Sequence, residues 1–398
     1  MNFSPIIPAA LNGSIDSTLL DKAHNLIVES SCLTANHTPQ LLNSVRTLLY
    51  SVNSYYSNKI ESKGTHIIDI ERAMNKDYFE DTHKRNLQNL SLVHIKIQKE
   101  IEQIITKDAD FSAYNSNFIQ NVHHRFYSDP KMLPFLHVHH DDMAAIINPG
   151  KFRTNEVKVG THIPPHSSEL ISCMNEFEFL YNKSLYSNKA VQLLHAFSSH
   201  HRLVWIHPFL DGNGRVSRLV LDAALHNINL AGYGLWNISR GLARDAQQYK
   251  SLLQYADMKQ QGITDGKGPL SLRGLTEFVN FMLDTSLDQV QYMRTQLQIN
   301  TLSKRITKFI ALAKSDMIDV EALPLHSDKL LTHLLLVGEC TASEVEKIIG
   351  KKSSVSSKLI TDLLKRNYLT RVGSKGVISI NINATFASYI FPDLVPQY

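Results

Sequence analysis

One stretch of twelve residues concentrates the side chains that could do chemistry; it runs from His207 to Arg218 and reads His-Pro-Phe-Leu-Asp-Gly-Asn-Gly-Arg-Val-Ser-Arg. An imidazole titrates near neutral pH and can take a proton from an attacking hydroxyl. An aspartate oxygen suits Mg²⁺ when phosphates complete the coordination shell. Two arginines on one side of a helix can bind phosphate in bidentate fashion. A base, a metal ligand and a phosphate cradle together predict a phosphate-transfer site.

Two helices must position this stretch. Apolar periodicity predicts one helix over about 190–206 and another over about 216–230. Gly212 and Gly214 allow the backbone to approach a ligand, and a helix N-terminus presents free N–H groups to phosphate oxygens. Taken alone, Asp211 or Gly212 could equally well belong to an ordinary capped corner between helices. The coincidence of several roles in one loop favours the phosphate site.

The pattern His-Pro-Phe-x-Asp-Gly-Asn-Gly-Arg-x-x-Arg is the signature of the Fic-domain family, and the chain resembles that family at every signature position. The resemblance implies transfer of AMP from ATP to a Ser, Thr or Tyr hydroxyl of a target protein. It implies that His207 is the catalytic base and that Asp211 holds Mg²⁺. Gly214 stands where the related Doc-type kinases carry Lys, which favours nucleotidyl transfer over phosphorylation; phosphocholine transfer stays open. The residues implied to bind ATP are Gly212, Asn213, Gly214, Arg215, Arg218 and, on a later helix, Tyr249.

An earlier helix carries a second pattern with a bearing on the site. Thr38 and Pro39 predict its start, and it runs to about residue 58. Many Fic proteins carry an inhibitory helix with the pattern [Ser/Thr]-x-x-x-Glu-[Gly/Asn], whose Glu pairs with the second arginine of the signature. Ser57 and Glu61 resemble this pattern, and the arginine would be Arg218. The next residue is Ser62, not Gly or Asn, and so departs from the pattern.

A short segment upstream of the signature predicts a β-hairpin. Residues 152–163 are strand-like and turn-punctuated around Thr154-Asn155. Fic proteins have a hairpin flap in this place, whose exposed edge docks the target by strand addition. We therefore expect the target protein to dock on 152–163, with a plain surface hairpin as the alternative.

The last part of the chain changes character. Helices are predicted over about 329–337, 341–350 and 353–367, followed by strands at 368–371 and 376–382 around the turn Gly373-Ser374-Lys375-Gly376. This order is typical of a winged helix-turn-helix domain. Between Ser343 and Gly376, eight Lys or Arg residues stand against three Asp or Glu, a local net charge of +5. Lysines at the start of the third helix could meet DNA phosphates and base edges. Such a domain can also serve dimerisation or protein contact, so DNA and a homodimer both stay open.

Composition sets the broad class. The 398 residues suffice for two or three domains, and 43% hydrophobic with 20% charged residues is typical of a folded soluble protein. The net charge of +4 is too small to indicate nucleic-acid binding by the whole chain. Cys32, Cys173 and Cys340 are far apart and form no C-x-x-C pattern, which predicts buried thiols in a reducing compartment. Neither a signal-peptide pattern nor a membrane-length apolar run is evident, so we expect a cytoplasmic protein.

These patterns predict a mainly α-helical protein with a Fic-type core, a small β-hairpin flap and a C-terminal winged helix-turn-helix domain. The predicted divisions are an N-terminal helical region with the inhibitory motif (1–85), a Fic catalytic domain (86–300) and the winged helix domain (301–398). The predicted activity is protein adenylyl transfer from ATP with Mg²⁺, to a target or to the protein itself, autoinhibited by Glu61. Two alternatives remain: a DNA-binding regulator that uses the site as a nucleotide sensor, and an enzyme that removes AMP from a target, with Glu61 positioning a water.

Overall fold

The protein is mainly helical in the computed structural model, which describes residues 4–140, 143–182, 188–372 and 376–396. The helices before the signature are α1 (Ala9–Asn12), α2 (Ser17–Cys32), α3 (Pro39–Ile60), α4 (Ile67–Met74), α5 (Thr82–Lys107), α6 (Ser116–Tyr127), α7 (Leu170–Tyr181) and α8 (Lys189–Ile206). Those after it are α9 (Asn213–Asn227), α10 (Ile238–Arg244), α11 (Ala246–Ala256), α12 (Leu272–Gln296), α13 (Ile299–Lys314), α14 (Ser327–Val337), α15 (Ala342–Ile349), α16 (Ser353–Lys365) and α17 (Ala384–Ile390). None of the helices in the described ranges combines the length and apolar character that crossing a bilayer requires.

Helices α8 and α9 form the centre of the fold. α8 is buried on almost every face, which is typical of a central helix, and α9 packs along it. The prediction for α8 is confirmed to within one residue. The predicted start of α9 is three residues too far along the chain, since the helix begins at Asn213 and not at residue 216. The second half of the signature is therefore already helical.

Helix α3 begins as its sequence predicts. Pro39 occupies the first turn, where a missing N–H costs nothing, and the Thr38 hydroxyl accepts from the Leu41 N–H at 3.3 Å. The helix packs against α5 and α10 and reaches α9. Its C-terminal end therefore lies beside the start of α9.

The predicted hairpin at 152–163 is wrong. Over this range the described backbone has only an isolated antiparallel bridge, between Val159 and His162, which closes a turn. The physical reason is Arg153, whose guanidinium donates to the carbonyls of Asn155 (3.0 Å) and Pro165 (2.5 Å), so the backbone wraps around a buried cation and does not pair as a strand. A two-stranded antiparallel sheet lies further upstream, formed by β1 (His137–His140) and β2 (Met143–Ile146).

The C-terminal part has its own small sheet. Its strands, β3 (Glu339–Cys340), β4 (Leu369–Val372) and β5 (Val377–Ile380), pair antiparallel in the order β3-β5-β4. The helices α14, α15 and α16 come before β4, with β3 as a strand that the sequence did not predict. Residues 373–375 of the predicted turn lie outside the described residues. The interpretation as a winged helix-turn-helix domain stays a prediction, as does the division of the chain into three domains.

The C-terminal part packs directly on α3 and α4. The Ser44 hydroxyl accepts from the Ile382 N–H at 2.9 Å. The Glu71 carboxylate accepts from the Ala384 N–H at 2.5 Å and from the Asn367 side-chain amide at 3.1 Å. Helix α3 is therefore held between α5, α9 and α10 on one side and the C-terminal part on the other.

We expect Glu71→Ala to loosen this docking. The substitution leaves the Ala384 N–H and the Asn367 amide without their acceptor in a partly buried place, which costs about 1–3 kcal/mol. Urea denaturation would measure the loss, with Glu80→Ala, an exposed glutamate of the α4–α5 connection, as the matched control. Equal stability of the two variants would contradict a structural role for Glu71.

Candidate active site

The signature forms a tight loop between α8 and α9. His207 ends α8 in the left-handed conformation (φ 50°), and its N–H donates to the Leu203 carbonyl at 3.1 Å. Gly212 also has a positive φ, of 82°, immediately before α9. A Cβ at Gly212 would collide with the ring and hydroxyl of Tyr127, so only glycine fits here.

Asn213 and Phe209 hold this loop rigid. The Asn213 side chain accepts from the Phe209 N–H (2.9 Å) and donates to the Phe209 carbonyl (2.8 Å). The Phe209 ring is fully buried and stacks on His123 at 4.0 Å between ring centroids. Both polar groups of the Asn213 side chain are used in these two hydrogen bonds. Phosphate binding by Asn213, as the sequence predicts it, would therefore use the backbone N–H of this residue. No side chain of the described residues caps α9, so its first N–H groups face the site without an intrahelical partner.

Two residues that the sequence did not single out position the loop from outside. Arg153 donates through Nε to the His207 carbonyl (2.9 Å), and its backbone N–H donates to the Pro208 carbonyl (2.9 Å). His123 accepts from the Gly150 N–H through Nδ1 (2.8 Å), so its Nε2 carries the proton and donates to the Asp211 carbonyl (3.2 Å). Both act on backbone groups, for which a sequence pattern offers no signal.

The imidazole of His207 is neutral at physiological pH. Burial lowers its pKa to about 4, and the Arg153 guanidinium and His162 act in the same direction. The Val204 carbonyl and Asp211 raise the pKa but do not offset this. A neutral ring is the form that can accept a proton.

Arg215 and Asp211 line the same side of the loop. The Arg215 Nη2 donates to the Tyr127 hydroxyl at 3.0 Å and lies 3.6 Å from the Asp211 carboxylate. Its Nε and Nη1 are buried and have no hydrogen-bond partner among the described residues. Two unpaired guanidinium N–H groups are the donors that a bidentate phosphate contact would use.

Arg218 is bound by both predicted residues of the inhibitory pattern. Its Nε donates to the Ser57 hydroxyl (2.9 Å), and its Nη2 donates to the Ser57 carbonyl (3.1 Å). The same Nη2 forms an ion pair with the Glu61 carboxylate at 2.7 Å. The structure thus brings Glu61 to Arg218, the contact that the resemblance implies, although the two are 157 positions apart, and it adds Ser57 as a second partner of Arg218.

The Glu61 carboxylate also lies against the first turn of α9. A Cβ on Gly214 would collide with it, so it occupies the place where a ligand oxygen would meet the helix N-terminus. Burial raises the pKa of Glu61, but the Arg218 guanidinium, together with the charges of Arg215 and Lys250, lowers it by more, so the net shift of the pKa is downward. The side chain is 37% exposed, so it can leave without opening the core.

The end of α3 aims Glu61 through a Schellman motif. The Ser62 N–H donates to the Lys59 carbonyl (2.9 Å), and the Lys63 N–H donates to the Asn58 carbonyl (2.9 Å). Ser62 takes the left-handed conformation with φ 57°. The family pattern places Gly or Asn here, the residues that adopt this conformation at least cost. Ser62 therefore keeps the expected geometry in spite of the departure in sequence.

Tyr249 lies beneath the loop. Its side chain is 2% exposed, and its hydroxyl donates to Nε2 of His200 at 2.7 Å. His200 in turn donates through Nδ1 to the Ser217 carbonyl (3.2 Å). Tyr249 is thus connected to α9 through His200. That Tyr249 contacts the adenine of ATP stays a prediction.

Comparisons with known proteins agree on one domain. The sequence model of the Fic/DOC family matches residues 127–225. The protein adenylyltransferase Fic of Drosophila willistoni is 45% identical over 87 residues, which are 22% of this chain and 17% of that protein. The Drosophila melanogaster protein of the same name is 35% identical over 136 residues, 34% of this chain and 26% of that one. The chain therefore matches only a fraction of the length of these relatives.

Solved structures extend the likeness of fold. A Fic family protein from Desulfovibrio desulfuricans G20 aligns with a TM-score of 0.52 and 14% identity over 93% of this chain and 97% of that one. Fic-1 from C. elegans aligns with a TM-score of 0.51 and 18% identity over 71% of this chain and 72% of that one. At these identities the likeness concerns the fold alone. The chain thus contains a Fic domain, which spans residues 127–225.

Proposed function

We propose that this protein is an adenylyltransferase that moves AMP from ATP to a Ser, Thr or Tyr hydroxyl of a target protein or of itself, and that Glu61 inhibits it. The observation that carries the proposal is the ion pair between Glu61 and Arg218 at the open N-terminus of α9. A carboxylate held against an arginine and free helix N–H groups occupies a phosphate-binding place. The adenylyltransferase names of the Drosophila relatives support the same chemistry.

The proposed transfer uses His207, Arg215 and the N–H groups of α9. The neutral His207 ring takes the proton of the acceptor hydroxyl, whose oxygen attacks the α-phosphorus of ATP. The bond between that phosphorus and the bridging oxygen breaks, and pyrophosphate leaves. Arg215 and the N–H groups of α9 hold the phosphate oxygens, so the developing charge meets preformed donors. Arg218 would contact the γ-phosphate once Glu61 has moved away.

Asp211 fits a bound Mg²⁺. Its side chain is 36% exposed, and Oδ1 accepts from the Gly212 N–H at 2.6 Å. The described residues contain no group of three or more His, Cys, Asp or Glu that could hold a metal unaided. One carboxylate with substrate phosphates is the mode that Mg²⁺ commonly uses. The ion would neutralise phosphate charge there.

We propose that the target docks on residues 152–163 even though they do not form a hairpin. The turn closed by Val159 and His162 presents an exposed Val159, and the neighbouring Ile163 is 75% exposed. Arg153 connects this segment to the backbone of His207. A peptide bound here would therefore lie beside the catalytic base.

We expect Glu61→Gly to raise self-labelling from α-labelled ATP by about tenfold to hundredfold, since the variant frees Arg218 from a charged hydrogen bond. Adding His207→Ala should lower the rate again by about 10²–10⁴, the contribution of a general base. Lys59→Gln, at the same helix end and without contact to Arg218, keeps the helix and removes a charge; it is the control and should behave like the wild type. If Glu61→Gly transfers no label, adenylyl transfer is wrong. If wild type removes AMP from a labelled target and Glu61→Gly does not, AMP removal replaces it.

We expect Ser62→Gly to strengthen inhibition. A left-handed non-glycine residue costs about 1–2 kcal/mol, part of which glycine recovers. The variant should unfold at higher urea concentration, by up to about 1 kcal/mol, and label itself more slowly than the wild type. Ser62→Val should shift both quantities the other way, because a β-branched residue resists this conformation. Parallel behaviour of the two variants would contradict the argument.

A second function is supported by the surface of α16. Lys351 and Lys352 are exposed immediately before the helix, and Lys358 is exposed on its second turn, together with neighbouring serines; no side chain of the described residues caps the helix. Lysines around a free helix N-terminus suit phosphate oxygens. We propose that α16 contacts DNA as the recognition helix of a winged helix-turn-helix domain.

A gel-shift titration with duplex DNA at several salt concentrations tests this second function. We expect binding that weakens with salt, and a salt slope that falls by about one for each of Lys351→Gln, Lys352→Gln and Lys358→Gln. Lys314→Gln, on α13 and remote from α16, should leave the slope unchanged. Binding that is absent at low salt would leave dimerisation or protein contact as the role of this part.

A further inference from the structure

A cavity of about 290 Å³ lies between α3, α5 and α9, away from the catalytic loop. Its volume is at the small end of ligand pockets, which are about 300–1,000 Å³. Polar and aromatic side chains line most of it, among them Arg46, Tyr50, Asn53, Glu102, Asp222, His226, Tyr233 and Trp236. Nothing in the proposed transfer of AMP uses these residues.

Some of the polar lining is already paired. Glu102 accepts from the Tyr50 hydroxyl at 2.5 Å and forms an ion pair with His226 at 3.2 Å. Burial lowers the pKa of His226, but the hydrogen bond to Glu102 and the charge of Asp222 raise it by more, so the net shift is upward. Glu102 and His226 therefore satisfy each other.

Other polar groups that line the cavity can accept or donate further hydrogen bonds. Asp222 accepts from the Tyr233 hydroxyl through Oδ1, and its Oδ2 has no hydrogen-bond partner among the described residues. Asn53 is 6% exposed and donates to Gln98, yet its buried Oδ1 also has no partner in the described part of the chain. Arg46 is exposed at the cavity and forms no ion pair within the described ranges. Two acceptors and one guanidinium thus line the same small cavity.

We propose that this cavity binds a small zwitterion of the free amino acid class, with its ammonium group at Asp222 and Asn53 and its carboxylate at Arg46. An ammonium supplies the donors that Asn53 Oδ1 and Asp222 Oδ2 lack. It also offsets the cost of a buried carboxylate. A guanidinium binds a carboxylate in bidentate fashion.

The bound amino acid would also steady the inhibitory helix; this part rests on the proposed function. Tyr50, Ser57 and Glu61 are spaced to lie along one face of α3, and Arg218 and Asp222 along one face of α9. A ligand held between the two helices bridges them about two to three turns of α3 from Glu61 and about one turn of α9 from Arg218. Binding therefore favours the inhibited arrangement and slows self-labelling.

Tryptophan fluorescence tests binding without reference to activity. In full-length Trp205→Phe protein, Trp236 at the cavity is the remaining tryptophan, since the chain has two. The probes are the individual L-amino acids, with putrescine and succinate as partners that carry only one kind of charge. We expect a saturable change with at least one amino acid and none with putrescine or succinate. Arg46→Gln and Asp222→Asn should each weaken binding at least about tenfold, and Lys314→Gln should not.

Because Arg46 is exposed, we expect Arg46→Gln to fold like the wild type. Its binding can therefore be measured even if Asp222→Asn disturbs the cavity. No saturable change with any amino acid, binding unaltered in Arg46→Gln, or equal binding of putrescine or succinate would each overturn the proposal. The binding amino acid should slow self-labelling in the wild type and not in Glu61→Gly. Binding without that effect overturns the coupling alone. Failure of the proposed function appears separately, as no labelling of Glu61→Gly without any amino acid.

Discussion

The site depends on one buried guanidinium. Arg218 lies on the first turns of α9 and is neutralised by α3, through the hydroxyl and carbonyl of Ser57 and the carboxylate of Glu61. A buried arginine without an anion is costly, so either Glu61 or a ligand phosphate must serve it. Under the proposed function, this requirement would make α3 a competitor of ATP, and a carboxylate at the end of one helix would control chemistry at the start of another.

Contacts around the signature loop fix its conformation independently of Glu61. Asn213 and Phe209 fix the loop from within, while Arg153 and His123 hold its backbone carbonyls from outside. The loop conformation is therefore held without Glu61, and the proposed binding of ATP phosphates would require little movement beyond that of Glu61. The C-terminal part packs on α3 from the opposite side, which places a further element next to the helix that carries Glu61.

The sequence predicted those parts of the site that a contiguous pattern encodes. The stretch from His207 to Arg218, with its glycines and charges, could be assigned roles from residue types and spacing. The contact of Glu61 with Arg218 was predicted from resemblance alone, since no periodicity connects residues so far apart. Arg153 was missed because it binds carbonyl groups, and it also explains why the hairpin predicted at 152–163 does not form. A strand pattern reports only the alternation of residue types. It does not show that the backbone carbonyls of a segment bind a buried arginine.

The central claim is that the site transfers the adenylyl group once Glu61 is removed. The most direct measurement follows protein-bound label in Glu61→Gly protein, given ATP labelled on the α-phosphate in one reaction and on the γ-phosphate in a parallel one. The account predicts covalent label from the α-position only, because the bond that breaks lies beyond the α-phosphorus and pyrophosphate leaves. Label from the γ-position would mean phosphorylation, and label from neither would mean no transfer, and both results would contradict the account.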